Sequence, residues 1–316
     1  MVAIVFSLSP YPIREARYYQ DISAETMESE KHQPTPSPDT ADVHKFEQPQ
    51  EIHRVVQEAI LLAGGAAAIL LQIAEPGVAK GVDEHSNFAY RPMDRLRTTM
   101  TYIYTMAFGT AEEKKAVIEM VHRAHAVVKG PEYSADDPKL QLWVAATLYA
   151  VGIDIHQRVF GPMDESTASK IYAEYSILAV SLRVPPSMWP PDRQAFWTYW
   201  DDQIATLEIT QNARNVAHDL LRGEKAPLRI RVVLPLVRLT TTELLPPKIR
   251  QDFELQTSPV RRAVYRASLG FTRVTYPHLP RAIRTYPMKY YLKDMRRRLR
   301  DMDEKGPGSG GAHTRK

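Results

Sequence analysis

Apolar residues return every third or fourth position through five successive stretches of this chain, residues 52–74, 93–108, 111–128, 138–160 and 165–182. That is the period of a helix with one buried face, and strand-like alternation is nearly absent. Breakers separate the stretches: Pro76-Gly77, Arg91-Pro92, Gly109, Gly130-Pro131, Gly161-Pro162 and Pro185-Pro186. Asp164 or Glu165 is placed to start the helix that follows Gly161-Pro162. The expected fold is all-α, a multi-helix bundle, and the lack of a fixed-length repeat argues against a solenoid.

Composition shifts on either side of this bundle, which is expected to span residues 51–222. Residues 1–50 read as a mostly disordered leader, because the part from about Ile22 to Gln50 is polar and Pro-rich and offers no apolar face to bury. Residues 301–316 end in a Gly-rich run and read as a flexible tail. Residues 223–300 are Pro-punctuated, helical and basic. The net charge of +4 hides this asymmetry: 19 basic and 29 acidic residues precede Arg222, whereas residues 222–300 hold 19 basic and 5 acidic ones. Packing of this region on the acidic bundle is the simplest use of the charge. Its cations also mix with Tyr265, Phe271, Tyr276, Tyr286, Tyr290 and Tyr291, which suits peripheral contact with an anionic membrane. No nucleic-acid motif accompanies them, and a nucleic-acid partner is not expected.

The 316 residues include no cysteine. Disulfides, thiolate metal sites and a cysteine nucleophile are thereby excluded, and any metal falls to His, carboxylate or Tyr. The longest apolar run, residues 59–71, is shorter than the ~20 residues that span a bilayer. It is expected to be a buried helix whose Gly64 and Gly65 admit a close neighbour or a flat ligand. The Met1 to Leu8 run is too short for a signal peptide, so a cytoplasmic protein is expected.

Three constellations carry chemistry. His122, His125 and Lys129 are spaced to project from one side of a helix, and a histidine in an apolar stripe needs a partner for each ring nitrogen. That partner is either a metal or haem iron, or a backbone carbonyl in an ordinary core. Arg95 and Thr99 lie one helical turn apart and offer a fixed cation and a hydroxyl, suited to polarising oxygen or holding a propionate. The alternative is a surface arginine near a capping threonine. Glu119 and His122 form an E-x-x-H, but the second copy that a di-iron bundle requires is missing, and so is the H-E-x-x-H of zinc proteases.

The order of several blocks says more than each alone. Leu70-Leu-Gln-Ile-Ala-Glu-Pro76-Gly-Val-Ala79, Gly81-Val-Asp-Glu-His85-Ser-Asn-Phe88, Pro92-Met-Asp-Arg95-Leu-Arg-Thr-Thr99, Phe108-Gly109, His125-Ala-Val-Val-Lys-Gly130, Tyr133-Ser-Ala-Asp-Asp-Pro138 and Leu142-Trp-Val-Ala-Ala-Thr147-Leu148 resemble, in sequence and order, the MpaB and rubber oxygenase (latex clearing protein) family. The likeness runs from about Glu51 to Leu221 and continues through Leu245-Pro-Pro-Lys-Ile-Arg250 and Leu279-Pro-Arg-Ala-Ile-Arg284. It implies a helical fold around haem b and oxygenative chemistry on hydrophobic substrates.

In those terms His125 is similar to the proximal haem ligand, and Arg95 and Thr99 match the arginine and threonine needed for activity. His122 and Lys129 occupy flanking places where rubber oxygenases carry arginines. Thr98 stands where they carry a lysine that can cap the iron. Glu75 replaces a histidine of many relatives, as a base, a misfit beside a propionate or a helix-end residue. Glu84 and His85, beside Ser86, line the pocket or form a turn.

The function implied is an oxidoreductase, a haem-dependent oxygenase that takes dioxygen and a lipophilic small molecule, such as a terpenoid, polyketide or prenylated metabolite of secondary metabolism. Oxidative cleavage of a carbon–carbon double bond is its sharpest form. The rivals are a haem peroxidase or rearrangement enzyme, and a helical ligand-binding or membrane-surface protein without catalysis.

Overall fold

The computed structural model describes residues 49–85, 92–223 and 228–305. Its first apolar stretch divides into three pieces, α1 (His53–Val56), a 3-10 turn (Ala59–Gly64) and α2 (Gly65–Ile73). The break falls at Glu58, whose backbone is extended and whose side chain is only 4% exposed. That carboxylate accepts from the Tyr276 hydroxyl at 3.0 Å and pairs with Arg284 at 3.2 Å. A distant pair of side chains thus interrupts a helix that local propensity would continue.

The breaker Pro76-Gly77 opens a helix. Pro76 fills the first position of α3 (Pro76–His85), where a missing N–H costs nothing, and the Glu75 carbonyl accepts from Ala79 N at 2.9 Å. The segment Ala59–Ile73 meets α3 at a bend of 108°. Next come α4 (Pro92–Phe108) and α5 (Ala111–Ala126), which pack on each other. Thr110 and Glu113 start α5 with a reciprocal capping box. Beyond α5 a two-residue strand β1 (Lys129–Gly130) pairs antiparallel with β2 (Tyr133–Ser134), in the register Lys129 to Ser134.

The central element is α6 (Pro138–Phe160), capped by the Asp137 side chain, with Trp143, Tyr149 and Ile153 on its buried side. α7 (Glu165–Tyr175), capped by Asp164 as expected, yields to α8 (Ile177–Val180) at Ser176, whose hydroxyl bonds the Ala173 carbonyl at 2.6 Å. Then follow α9 (Arg193–Thr206) and α10 (Gln211–Arg222), the latter closed by Gly223 in the left-handed region at φ 57°. The remaining helices are α11 (Leu228–Leu244), α12 (Pro247–Asp252), α13 (Pro259–Thr275), α14 (Arg281–Arg284) and α15 (Tyr286–Lys305). The fold is all-α, with the small hairpin as an addition.

The core gathers around α6. Tyr149 meets Tyr172, Tyr175 and Phe196 edge-on, with ring centroids 5.1, 5.2 and 4.7 Å away. Trp143 Nε1 donates to the Leu71 carbonyl at 2.8 Å. Leu70, Leu71 and Ile73 are at most 1% exposed, so the apolar run is a core element. Among the described residues no single helix is long and apolar enough to cross a membrane. The close neighbour at Gly64 is α6 itself, since a Cβ there would run into Ile155 and Val151. At Gly65 a Cβ would meet only Leu96, at 3.9 Å.

The basic region packs on the bundle through two ion pairs and a hydrogen bond. Arg296 reaches Glu113 at 2.7 Å, Arg284 reaches Glu58, and Arg158 on α6 bonds the Tyr265 hydroxyl of α13 at 3.4 Å. α15 lies along α4 and stays helical to Lys305, beyond the expected boundary at residue 301. The expected leader, apart from residues 49–50, and the Gly-rich run at 306–311 lie outside the described residues.

Candidate functional site

The C-terminal part of α5 carries His122 and, in its last turn, His125, both partly buried. Burial is the main influence on His125 and holds its pKa below the ordinary imidazole value, with Asp136 opposing and His122, Arg95 and Arg183 adding to the depression. The neutral ring is therefore the form the fold favours. Its Nδ1 lies 3.4 Å from Gln141 Nε2, and that amide donates to the Ala135 carbonyl at 2.8 Å.

His122 is also kept neutral, by burial first and by the Arg183 cation second. Its ring bonds the Ser181 carbonyl, while its Nε2 is buried without a partner among the described residues. Asp136 Oδ1 and Gln141 Oε1 are buried and unpartnered in the same sense. Arg183 stands 3.9 Å from Asp136 Oδ2, on a backbone in the left-handed region at φ 68°. A non-glycine residue in that region is strained, and such strain persists where the surroundings enforce it. Four segments therefore converge: the end of α5, the residues after β2, the first turn of α6 and the turn after α8.

Lys129 does not join the histidines on the helix. α5 ends at Ala126, Val128 N bonds back to the His125 carbonyl at 2.8 Å, and Lys129 enters β1 with its side chain exposed. The tightened last turn corrects the expectation that α5 reaches Val128 and presents all three residues from one side. Arg95 and Thr99 lie on exposed positions of the first turns of α4, and the charge of Arg95 acts on His125 across the gap between the two helices. Thr98 is exposed beside them.

Glu75 is a helix-end residue. It precedes Pro76, and its Oε1 lies 3.4 Å from Gly77 N. Burial raises its pKa, with the nearby Asp137 charge adding to the rise. Glu84 and His85 form a compact network instead of a loose turn. The Tyr133 hydroxyl donates to Glu84 Oε2 at 2.6 Å and lies 2.8 Å from His85 Nε2. The hydrogen bond to Glu84 pushes the phenol up to about 12. Tyr133 also fits between Gly81 and Gly130, where Cβ atoms would crowd its ring, and so the hairpin after His125 is fastened to α3. Ser86 lies outside the described residues.

Among the described residues no group of three His, Asp or Glu side chains could hold a metal ion. The arrangement supplies single, half-buried imidazoles near the cations Arg95 and Arg183. Asp136, Gln141, Ser181 and Arg183 escaped sequence reasoning because they belong to separate elements. The one local signal was Gln141, a polar residue amid the apolar run of α6.

The chain matches, over residues 52–274, the family described as ER-bound oxygenase mpaB/B'/Rubber oxygenase, catalytic domain. The chain belongs to this family. The chain is also similar to two mycobacterial relatives, each an uncharacterized protein: Rv2237 of Mycobacterium tuberculosis and Mb2261 of Mycobacterium bovis. Each is 34% identical over 245 residues, covering 74% of this chain and 96% of the relative. No solved structure matches the chain. As an mpaB/rubber oxygenase domain it falls among the oxidoreductases, and the match runs past residue 222 into the basic region.

Proposed function

We propose that this mpaB/rubber oxygenase domain is a haem b-dependent oxygenase of a lipophilic small molecule, cleaving a carbon–carbon double bond of a terpenoid, polyketide or prenylated metabolite of secondary metabolism with dioxygen as co-substrate. The observation that carries the reading is His125, a half-buried imidazole held neutral at a helix end and set among cations. Haem would ask the protein for a single imidazole, and among the described residues the three or more ligands that a bare ion needs are not gathered, so this donor set suits haem better than a bare ion. The unpartnered His122 Nε2 and Asp136 Oδ1 nearby would each suit a further polar partner.

On this reading His125 would ligate the haem iron, and His122 and Lys129 would stand beside the group. When bound, haem b supplies the activation of dioxygen. Arg95 contributes a cation that keeps its charge at every physiological pH, and Thr99 contributes a hydroxyl one turn away. Gln141 stands beside His125 Nδ1 and positions the ring. The apolar bundle excludes water and receives the greasy substrate.

The test is an absorption spectrum with pyridine haemochrome analysis after haem reconstitution. A Soret band is expected, with loss of that band in His125→Ala. Normal haem spectra and turnover in the variant would reject the ligand assignment. No Soret band in the unaltered protein would leave the ligand-binding rival standing. Labelled dioxygen that failed to enter the product would favour a peroxidase or rearrangement enzyme.

A further inference from the structure

The hydrogen bonds around His125 close into a circuit. The His125 carbonyl accepts from Val128 N at 2.8 Å, and the Val128 carbonyl accepts from Ala135 N at 2.9 Å. The Ala135 carbonyl accepts from Gln141 Nε2 at 2.8 Å, and that nitrogen stands 3.4 Å from His125 Nδ1. The circuit therefore leaves the main chain of His125, crosses the hairpin and returns to the imidazole. Where the hairpin sits decides where the Ala135 carbonyl holds the Gln141 amide.

Tyr133, in β2, ties that hairpin to α3. The phenol has one proton and gives it to Glu84 Oε2 at 2.6 Å, so the bond to His85 runs the other way, with His85 Nε2–H donating to the phenol oxygen at 2.8 Å. The ring lies where a Cβ on Gly130 would come within 2.5 Å of it and one on Gly81 within 3.3 Å. Lys80 of α3 adds a pair with Glu132 in the hairpin turn at 3.1 Å, which contributes little because that carboxylate is 80% exposed. A phenyl ring alone would fill the space between the glycines. The hydroxyl, on a residue only 7% exposed, supplies the directional bonds that fix the hairpin in one place.

We propose that Tyr133 is a positioning residue for the His125 imidazole: its hydroxyl fixes the hairpin on Glu84 and His85 of α3, and the hairpin fixes the ring through the Ala135 carbonyl and Gln141. The consequence for haem rests on the reading of His125 as its ligand; the positioning of the ring does not.

The test is nitrogen NMR of the full chain with isotopically labelled histidine, without haem, the His125 ring signals being assigned by their loss in His125→Gln. One set of signals is expected in the unaltered protein. Tyr133→Phe, which keeps the ring between the glycines, should move or split that set, and Glu84→Ala should do the same. Lys80→Gln leaves both bonds of the hydroxyl in place and should leave the set unmoved. After haem reconstitution, Tyr133→Phe should lose haem to apomyoglobin about tenfold faster than the unaltered protein, the scale on which partners behind a metal ligand act. The proposal is overturned if the His125 signals of Tyr133→Phe coincide with those of the unaltered protein, or if Lys80→Gln moves them as far, since the hairpin would then act through packing alone. Should Tyr133→Phe lose its helical circular dichroism, Glu84→Ala decides by the same signals. A protein that takes up no haem would defeat the haem reading, and the signals recorded without haem would still decide the role of Tyr133.

Discussion

At the scale of single residues, steric room and protonation give the sharpest expectations. Gly64→Ala drives a methyl into Ile155 and Val151, and an overpacked site of this kind costs about 1–3 kcal/mol in chemical denaturation. Gly270 lies inside α13, and a methyl carbon on its Cα would meet nothing within 4 Å, so Gly270→Ala should stabilise by about 0.5–1 kcal/mol. His156 is depressed to about 4 by burial, opposed by its bond to the Arg54 carbonyl. Its folded value lies below its unfolded one. The associated stability is therefore complete above the ordinary imidazole range and is lost as pH falls through that range toward about 4. Unfolding free energy measured across this window should drop, and His156→Gln should flatten the slope.

At the scale of elements, the helices were legible and their interruptions were not. The 3.6-residue period and the caps at Asp164 and Asp137 are local, so α6 and α7 begin where their sequences say. The break at Glu58 depends on Tyr276 and Arg284, more than two hundred residues away, and no local pattern encodes it. The candidate site divides the same way. His122 and His125 stood out because an imidazole on an apolar helix is unusual, whereas Asp136 and Arg183 acquire meaning only when turns bring them beside the two histidines. One element makes a simple test: Thr110→Ala removes the capping box of α5 and should cost about 1 kcal/mol, read from the thermal midpoint. Glu113 keeps its pair with Arg296 in that variant, which limits the loss.

At the scale of the whole molecule, buried Glu58 joins the beginning of the described chain to its last helices. Arg284 also stacks over Phe160 and Tyr276, with its guanidinium 5.6 and 6.0 Å from the ring centroids. Burial raises the Glu58 pKa, opposed by the Tyr276 bond and by Arg284 and Arg281. Ionising this carboxyl therefore opposes folding, and the penalty grows as pH rises through the elevated value. Arg284→Ala removes the main counter-charge, so it should destabilise by about 3–5 kcal/mol near neutrality and by less in mild acid. Adding Glu58→Gln should recover part of the loss and abolish its pH dependence, as measured by urea unfolding at two pH values.

The matched family segment stops at residue 274, two positions short of the phenol and ten short of the guanidinium that face Glu58. An expression clone trimmed to the shared segment would leave a negative charge sealed in grease at its own front end. Folding of the matched segment therefore draws on the stretch from Tyr276 to Arg284 beyond it.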